Sequence, residues 1–191
     1  MRILPHTDPF LRTKAKPVEK ITPEVLENIE KMLRLMHEDG GVGLAATQVG
    51  WNARVFVMND RSSRERWMDM VWVNPRLKLG VETVLSTEGC LSVKDENDEL
   101  IYGKVLRSSR VTITGVGLSR ADRGPREGKL CFLALKKHDE DPVQGSMHEC
   151  DWEFESGVEW PGGPVKLGPF IVQHETDHLN GVIFTDKLVR A

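Results

Sequence analysis

Cysteine and aromatic residues are scarce: three Cys, one Tyr, six Phe and five Trp in 191 residues. An odd number of thiols, with no apolar leader after Met1-Arg2-Ile3-Leu4-Pro5, argues against a disulfide framework and gives the expectation of a reducing, cytoplasmic setting. Long apolar runs are missing too. The longest stretch without a charged side chain, from Gly40 to Ala53, is broken by Gly40, Gly41, Gly43 and Gly50, so no membrane-spanning helix and no membrane partner are expected. Nor does one sign of charge dominate: 26 Lys and Arg against 29 Asp and Glu leave −3, which excludes an overall basic field for nucleic acid. With 39% hydrophobic and 29% charged residues the composition is that of an ordinary globular chain, and a single domain over residues 1–191 is expected.

What is present begins with a helix. Thr22 can cap it and Pro23 can occupy its first position. Val25, Leu26, Ile29, Met32, Leu33 and Met36 then follow at three- and four-residue steps until Gly40-Gly41. Short β-branched runs at Val55-Phe56-Val57, Val71-Trp72-Val73, Val81 to Leu85, Val111 to Thr114 and Leu130 to Leu135 read as an antiparallel or mixed sheet. From Gly117 to Gly168 the texture turns to Arg- and Gly-rich loops and hairpins, within which Asp151 to Glu155 alternates acid and aromatic like a half-buried strand. Phe170 to Asn180 can form a second helix that stops at Gly181.

That second helix carries His174-Glu175-Thr176-Asp177-His178, an H-E-x-x-H pattern. Imidazoles four residues apart project from one helix face and can grip one metal ion, with Glu175 about 100° round the helix where a general base is needed. The same five residues also fit a solvated helix, so the surroundings must decide. Phe184 stands where a metzincin needs its third histidine, and the only acid after His178 is Asp186, so a third ligand has to come from upstream. Cys90, in Thr87-Glu88-Gly89-Cys90-Leu91-Ser92 just after a predicted strand, stands out. Gly89 permits a tight path there that leaves the thiolate and the Leu91 N–H pointing into a site. Cys131 reads as an inert thiol in an apolar strand, and His148 with Cys150 as structural or surface residues.

Upstream, Gly41 to Gly50 is dense in small residues, which suits tight packing or the close approach of an extended peptide. Its Gln48 amide can donate to a developing oxyanion. The segments Gly41-Val42-Gly43-Leu44-Ala45-Ala46-Thr47-Gln48, Glu88-Gly89-Cys90-Leu91-Ser92 and Gln173-His174-Glu175-Thr176-Asp177-His178-Leu179, in that order, resemble the peptide deformylases. Asp8-Pro9-Phe10-Leu11-Arg12 and Ala15-Lys16-Pro17-Val18 resemble that family's opening, so the likeness covers about residues 3–115 and 169–188.

The resemblance implies an α+β fold with antiparallel or mixed sheets around a central metal-binding helix, and the sequence departs from the family in an inserted loop and hairpin region at about 117–168. It implies one divalent ion on Cys90, His174 and His178, physiologically Fe²⁺, with Zn²⁺ or Ni²⁺ able to take its place. It implies hydrolysis of the formyl amide of formyl-methionyl nascent chains, with Glu175 moving the proton and Gln48 and the Leu91 N–H meeting the oxyanion. Val42, Gly43, Gly89 and Ile171 are then the substrate contacts, and Glu88 pairs with Arg107 to steady the cysteine segment. Transient association with the ribosome follows from the substrate, although the long basic C-terminal helix of some members is not expected here. Two rival readings share these residues: a metalloamidase for another N-acyl group, and a binding module whose metal is closed by a fourth ligand such as His148 or Cys150.

Overall fold

Thr22 caps the first helix through its hydroxyl, which accepts the Val25 N–H at 3.3 Å, and α1 runs Pro23–Glu38. It stops where Gly40 takes φ 69°, with the Gly40 and Gly41 N–H groups donating to the His37 and Met36 carbonyls. This is a computed structural model, and it describes residues 1–60, 68–119, 131–132, 150–155 and 167–190. Within them lie the strands β1 (Gly43–Ala45), β2 (Val55–Asp60), β3 (Met68–Leu79), β4 (Thr83–Lys94), β5 (Leu100–Ser108), β6 (Arg110–Ser119), β7 (Cys131–Phe132) and β8 (Cys150–Glu155), and the second helix α2 (Gly168–Leu179).

Every described strand pair is antiparallel. The larger sheet runs β1-β2-β3-β6-β7, with β8 also pairing β6, while β4 and β5 form a separate two-stranded sheet. The large sheet is covered on both faces, which is why its strands read as unbroken apolar runs and not as an apolar/polar alternation. Val55 and Val57 of β2 pack with Ile29, Met32, Leu33 and Met36 of α1. The intervening Phe56 and Met58 pack with Ile171, Val172 and Leu179 of α2, because successive strand residues face opposite ways. Helix α2 is therefore central, and of its residues only Phe170 and Asp177 are not buried.

Arg54 and Gln173 fix where α2 sits. At a bulge in β3 between Val73 and Arg76, Asn74 adopts φ 54° and its side chain pairs with both backbone groups of Val18 at 2.8 Å. Arg54 grips the Pro75 carbonyl at 3.1 and 3.2 Å and reaches Asn180 at 3.0 Å, tying the bulge to the end of α2. The Gln173 amide completes the hold, accepting from the Ser108 N–H at 3.1 Å and donating to the Ser108 carbonyl at 2.9 Å.

The α+β class and the two expected helices are present. Three expectations need correction. Of the run at Val81 to Leu85 only Thr83 to Leu85 are strand, and they begin the longer Thr83–Lys94, so Cys90 lies inside a strand and not just after one. Strands β1 and β5 were not expected at all; β1 is glycine-led, and β5 mixes Tyr102, Gly103 and Lys104 into its apolar residues. Of the inserted region, Gly117 to Ser119 continue β6, β7 and β8 pair with it, and Leu167 and Gly168 lead into α2; the rest lies outside the described residues, as do the side chains of Cys131, His148 and Cys150.

Gly181 and Gly40 both sit at positive φ, 75° and 69°, but differ in what surrounds them. A Cβ at Gly40 meets nothing within 4 Å, whereas one at Gly181 would press on the Arg12 backbone, its carbonyl carbon 2.8 Å away. Gly40→Ala should cost about 1–2 kcal/mol for the left-handed backbone alone. Gly181→Ala should cost more than Gly40→Ala, towards about 3 kcal/mol, as measured by urea unfolding of the metal-loaded protein.

Candidate metal centre

One face of α2 meets the buried side of β4, and there three donors converge. The ligand atoms of Cys90, His174 and His178 all lie within 4.8 Å of one another, and the Cys90 Sγ to His178 Nε2 distance is 3.2 Å. Ligand bonds of about 2.0–2.3 Å in a tetrahedral arrangement place neighbouring donors roughly 3.5 Å apart, so the set fits one ion. The chemistry of the set agrees, since a buried thiol and two buried imidazoles suit zinc, iron or nickel better than calcium or magnesium. The two imidazoles stand four residues apart on α2 with ring centroids 5.0 Å apart. Phe184 stacks on His174 at 6.0 Å, closing the centre from below.

Buried charge orients the ligands. Glu88, two residues before Cys90 on β4, accepts at Oε2 from His174 Nδ1 at 3.0 Å, which leaves Nε2 to face the metal position. Arg107 of β5 holds Glu88 in a bidentate pair at 2.7 and 2.8 Å and donates to Asp177 at 2.6 Å. Lys187 then reaches Asp177 at 2.7 Å, completing a line of alternating charge from the surface to the ligand. Burial raises the Glu88 carboxyl, but the hydrogen bonds from Arg107 and His174 outweigh it and hold its pKa down at about 2. Burial lowers His174, yet hydrogen bonds to Cys90 and Glu88 carry its pKa up to about 10. His178, pushed well down by burial and by the charge on His174, keeps its lone pair free.

Glu175 stands apart from this network. Its carboxylate is buried, Oε2 has no hydrogen-bond partner, and burial raises its pKa to about 7. It lies against the backbone of β1, where a Cβ at Gly43 would collide with it, so the absent side chain at Gly43 makes the space that the carboxylate fills. Opposite, the Ala45 N–H donates to Gln48 Oε1 at 2.8 Å, which turns the Gln48 NH₂ toward Cys90 Sγ at 3.3 Å and Ser92 Oγ at 3.2 Å. Leu91 falls where the β4–β5 register breaks between Gly89 and Lys94, and it has no cross-strand partner there. The N-terminal segment crosses both supports: the Leu4 N–H donates to the Gln48 carbonyl at 2.8 Å and the His6 N–H to the Ser92 carbonyl at 2.7 Å.

The centre opens into a cleft of about 270 Å³ between the free edge of β4 and the segment Gly40 to Gly43. All ten residues singled out in the sequence come together: Val42, Gly43, Gln48, Gly89, Cys90, Leu91, Ile171, His174 and Glu175 line the cleft, and His178 lies behind it. Sequence reasoning missed Asp177, Lys187, Phe184 and Tyr102. Asp177 lies inside the H-E-x-x-H pattern, but only its partner Arg107, distant in sequence, reveals its role. Phe184 was noted only as a missing histidine.

Residues 1–123 match the family described as Polypeptide deformylase. The chain belongs to the peptide deformylase family. A peptide deformylase from Halothermothrix orenii is 33% identical over 183 residues, covering 96% of this chain and 90% of the relative. One from Acinetobacter baumannii is 35% identical over 187 residues, covering 97% and 81%, and both alignments therefore extend past the family match into α2. The crystal structure of peptide deformylase from Thermotoga maritima covers 99% of this chain and 97% of its own at TM-score 0.69 and 28% identity. That of a probable peptide deformylase from Synechococcus phage S-SSM7 covers 98% and 99% at TM-score 0.70 and 30% identity. The chain is a metal-dependent hydrolase that removes the N-formyl group from nascent peptides.

Removing one partner from a buried ion pair leaves the other charge stranded. Arg107→Met strands both Glu88 and Asp177 and should cost about 3–5 kcal/mol in urea unfolding, with part regained in the Glu88→Gln/Arg107→Met double variant. Metal affinity, read by competition with a chromophoric chelator, should fall about 10–100-fold.

Proposed function

We propose that Cys90, His174 and His178 hold one divalent ion and that the residues around it divide the chemistry of deformylation among them. The observation that carries this reading is the convergence of those three donors beside a buried, unpartnered Glu175 carboxylate. When bound, the ion polarises water and lowers its pKa toward neutrality. Glu175 takes a proton from the attacking water and passes it to the departing amine, a task that its buried carboxylate, with Oε2 unpartnered beside the three donors, is placed to perform. The water oxygen bonds to the formyl carbon, the C–N bond breaks, and formate leaves together with a free α-amino group. Gln48 Nε2 and the Leu91 N–H donate to the formyl oxygen as negative charge gathers on it. Preorganisation supports this assignment for Gln48, because the Ala45 N–H already locks its amide in the donating orientation.

Val42 and Ile171 form the apolar wall for the methionine side chain, and Ile171 lies one turn before His174 on α2. The backbones of Gly43 and Gly89 pair with the substrate as an added strand. The resemblance to the deformylases supports Fe²⁺ as the physiological ion, while the mixed sulfur and nitrogen donors suit Zn²⁺ or Ni²⁺ equally well. Residues 1–191 work as a single catalytic domain. Because its substrates are nascent chains, the enzyme works in the cytoplasm in transient association with the ribosome, without recognising nucleic acid or membrane. The net charge of −3 supports the lack of nucleic-acid recognition, and no described helix is long and apolar enough to cross a membrane.

The testing experiment is formate release from formyl-Met-Ala-Ser by anaerobically purified, Fe²⁺-loaded protein, with acetyl-Met-Ala-Ser as control. Turnover of the formyl peptide alone is expected, and turnover of both would favour the broader amidase. Glu175→Ala should retain the metal and lose at least about 10²-fold in kcat, and Gln48→Ala should lose about 10²–10³-fold. Loss of the metal from Glu175→Ala would contradict its role as base. Gly43→Ala, which displaces the Glu175 carboxylate, should likewise lower kcat with metal content unchanged.

A further inference from the structure

Gln48 lies in the 3₁₀ turn Ala46–Val49 that follows β1, and Ser92 lies two residues past Cys90 on β4. Both are buried, at 2% and 3% exposure. A side-chain amide has one acceptor end and two donor hydrogens, and here each is engaged. Oε1 accepts the Ala45 N–H at 2.8 Å, which settles which end of the amide is which. Nε2 then faces Ser92 Oγ at 3.2 Å and Cys90 Sγ at 3.3 Å, one acceptor for each hydrogen. Because an amide N–H₂ group only donates, Ser92 Oγ is the acceptor in this pair. Cys90 and Ser92 are buried on either side of Leu91, so alternation along β4 sets sulfur and oxygen side by side before the amide.

The two acceptors are unequal. Sulfur accepts weakly and a hydroxyl oxygen well, so the hydrogen on Cys90 is the one released at small cost to a formyl oxygen, while the hydrogen on Ser92 stays. Held at Oε1 alone, the amide can swing about that end. Held at Ser92 as well, its plane is fixed and one hydrogen is left to turn toward a ligand. The main chains of the same two residues are also braced together. Leu4 N–H donates to the Gln48 carbonyl at 2.8 Å and His6 N–H to the Ser92 carbonyl at 2.7 Å. Residues 44 apart in the sequence are thus joined through both main chain and side chains.

We propose that Ser92 is a positioning residue for deformylation: its hydroxyl oxygen anchors the Gln48 amide so that the remaining N–H is aimed at the formyl oxygen. This rests on the reading above, in which Gln48 meets the developing charge. Gln48 lines the cleft and Ser92 does not, so Ser92 acts through Gln48. The test is kcat and KM for formyl-Met-Ala-Ser on the metal-loaded wild type, Ser92→Ala, Gln48→Ala and the double variant. Ser92→Ala should lower kcat about tenfold with KM within about twofold of wild type. In the Gln48→Ala background the same change should alter kcat less than about twofold, since a residue that acts only through Gln48 then has nothing to position.

A second readout does not depend on turnover. In Co²⁺-loaded protein the near-ultraviolet sulfur-to-cobalt charge-transfer band responds to an N–H donated to the ligand sulfur. Ser92→Ala should move that band, and the double variant should match Gln48→Ala alone. An equal fold-loss of kcat in both backgrounds, as a merely structural serine gives, overturns the inference. So does an unchanged kcat, or an unmoved band, in Ser92→Ala. Those outcomes leave the deformylase reading intact, whereas absence of formate with wild type, or full activity of Gln48→Ala, overturns the reading on which the inference rests.

Discussion

A single buried guanidinium joins the parts of this enzyme that have to meet. Arg107 belongs to the small β4–β5 sheet, yet it reaches across to Asp177 on α2, while its other nitrogens hold Glu88. Glu88 in turn orients His174. A side chain only 3% exposed thus fixes the small sheet against the helix, and with it the distance between the cysteine and the histidines. Such a pair contributes little net stability when complete, since desolvation opposes attraction, but a broken pair is expensive. Among the described residues the two sheets share no strand pairing, and this polar seam, the Ser108–Gln173 pair and the apolar cluster around Leu11, Val105 and Phe184 help to hold their alignment.

The site handles charge in two contrasting ways. Around the ligands, every buried ion is answered: Lys187, Asp177, Arg107, Glu88 and His174 alternate in sign from surface to centre. Glu175 is buried next to this line and left unanswered. A partner for it would steady the ionised form and blunt it as a base, whereas an oxygen with no hydrogen-bond partner stays free to accept a proton. The contrast between paired Glu88 and unpaired Glu175 supports the proposed division, in which one carboxylate holds the ligands and the other moves the proton.

Much of this was legible in the sequence because it is local. The Thr22-Pro23 start, the periodicity of α1, and the four-residue spacing of His174 and His178 are all written within one helix length. The site residues followed from three short segments. What escaped is set by partners distant in the chain. Strand β5 lacks a continuous apolar run, and only its register with β4 makes it a strand and sets Tyr102 over Gly89. Asp177 reads as a variable position of H-E-x-x-H until Arg107 is seen beside it. Gly43 looks like loop flexibility, but its φ is not positive; its need for a bare backbone comes from Glu175, on the other side of the cleft.

The segment carrying Leu4 and His6 ties the start of the chain to the two supports of the cleft, and α2 brings the end of the chain to the same place. Cys90 and His178 stand 88 residues apart in the chain, so an ion that binds both closes a long loop. Its binding free energy is then also free energy of holding the small sheet against α2, and removing the ion should loosen that seam as well as silence the centre.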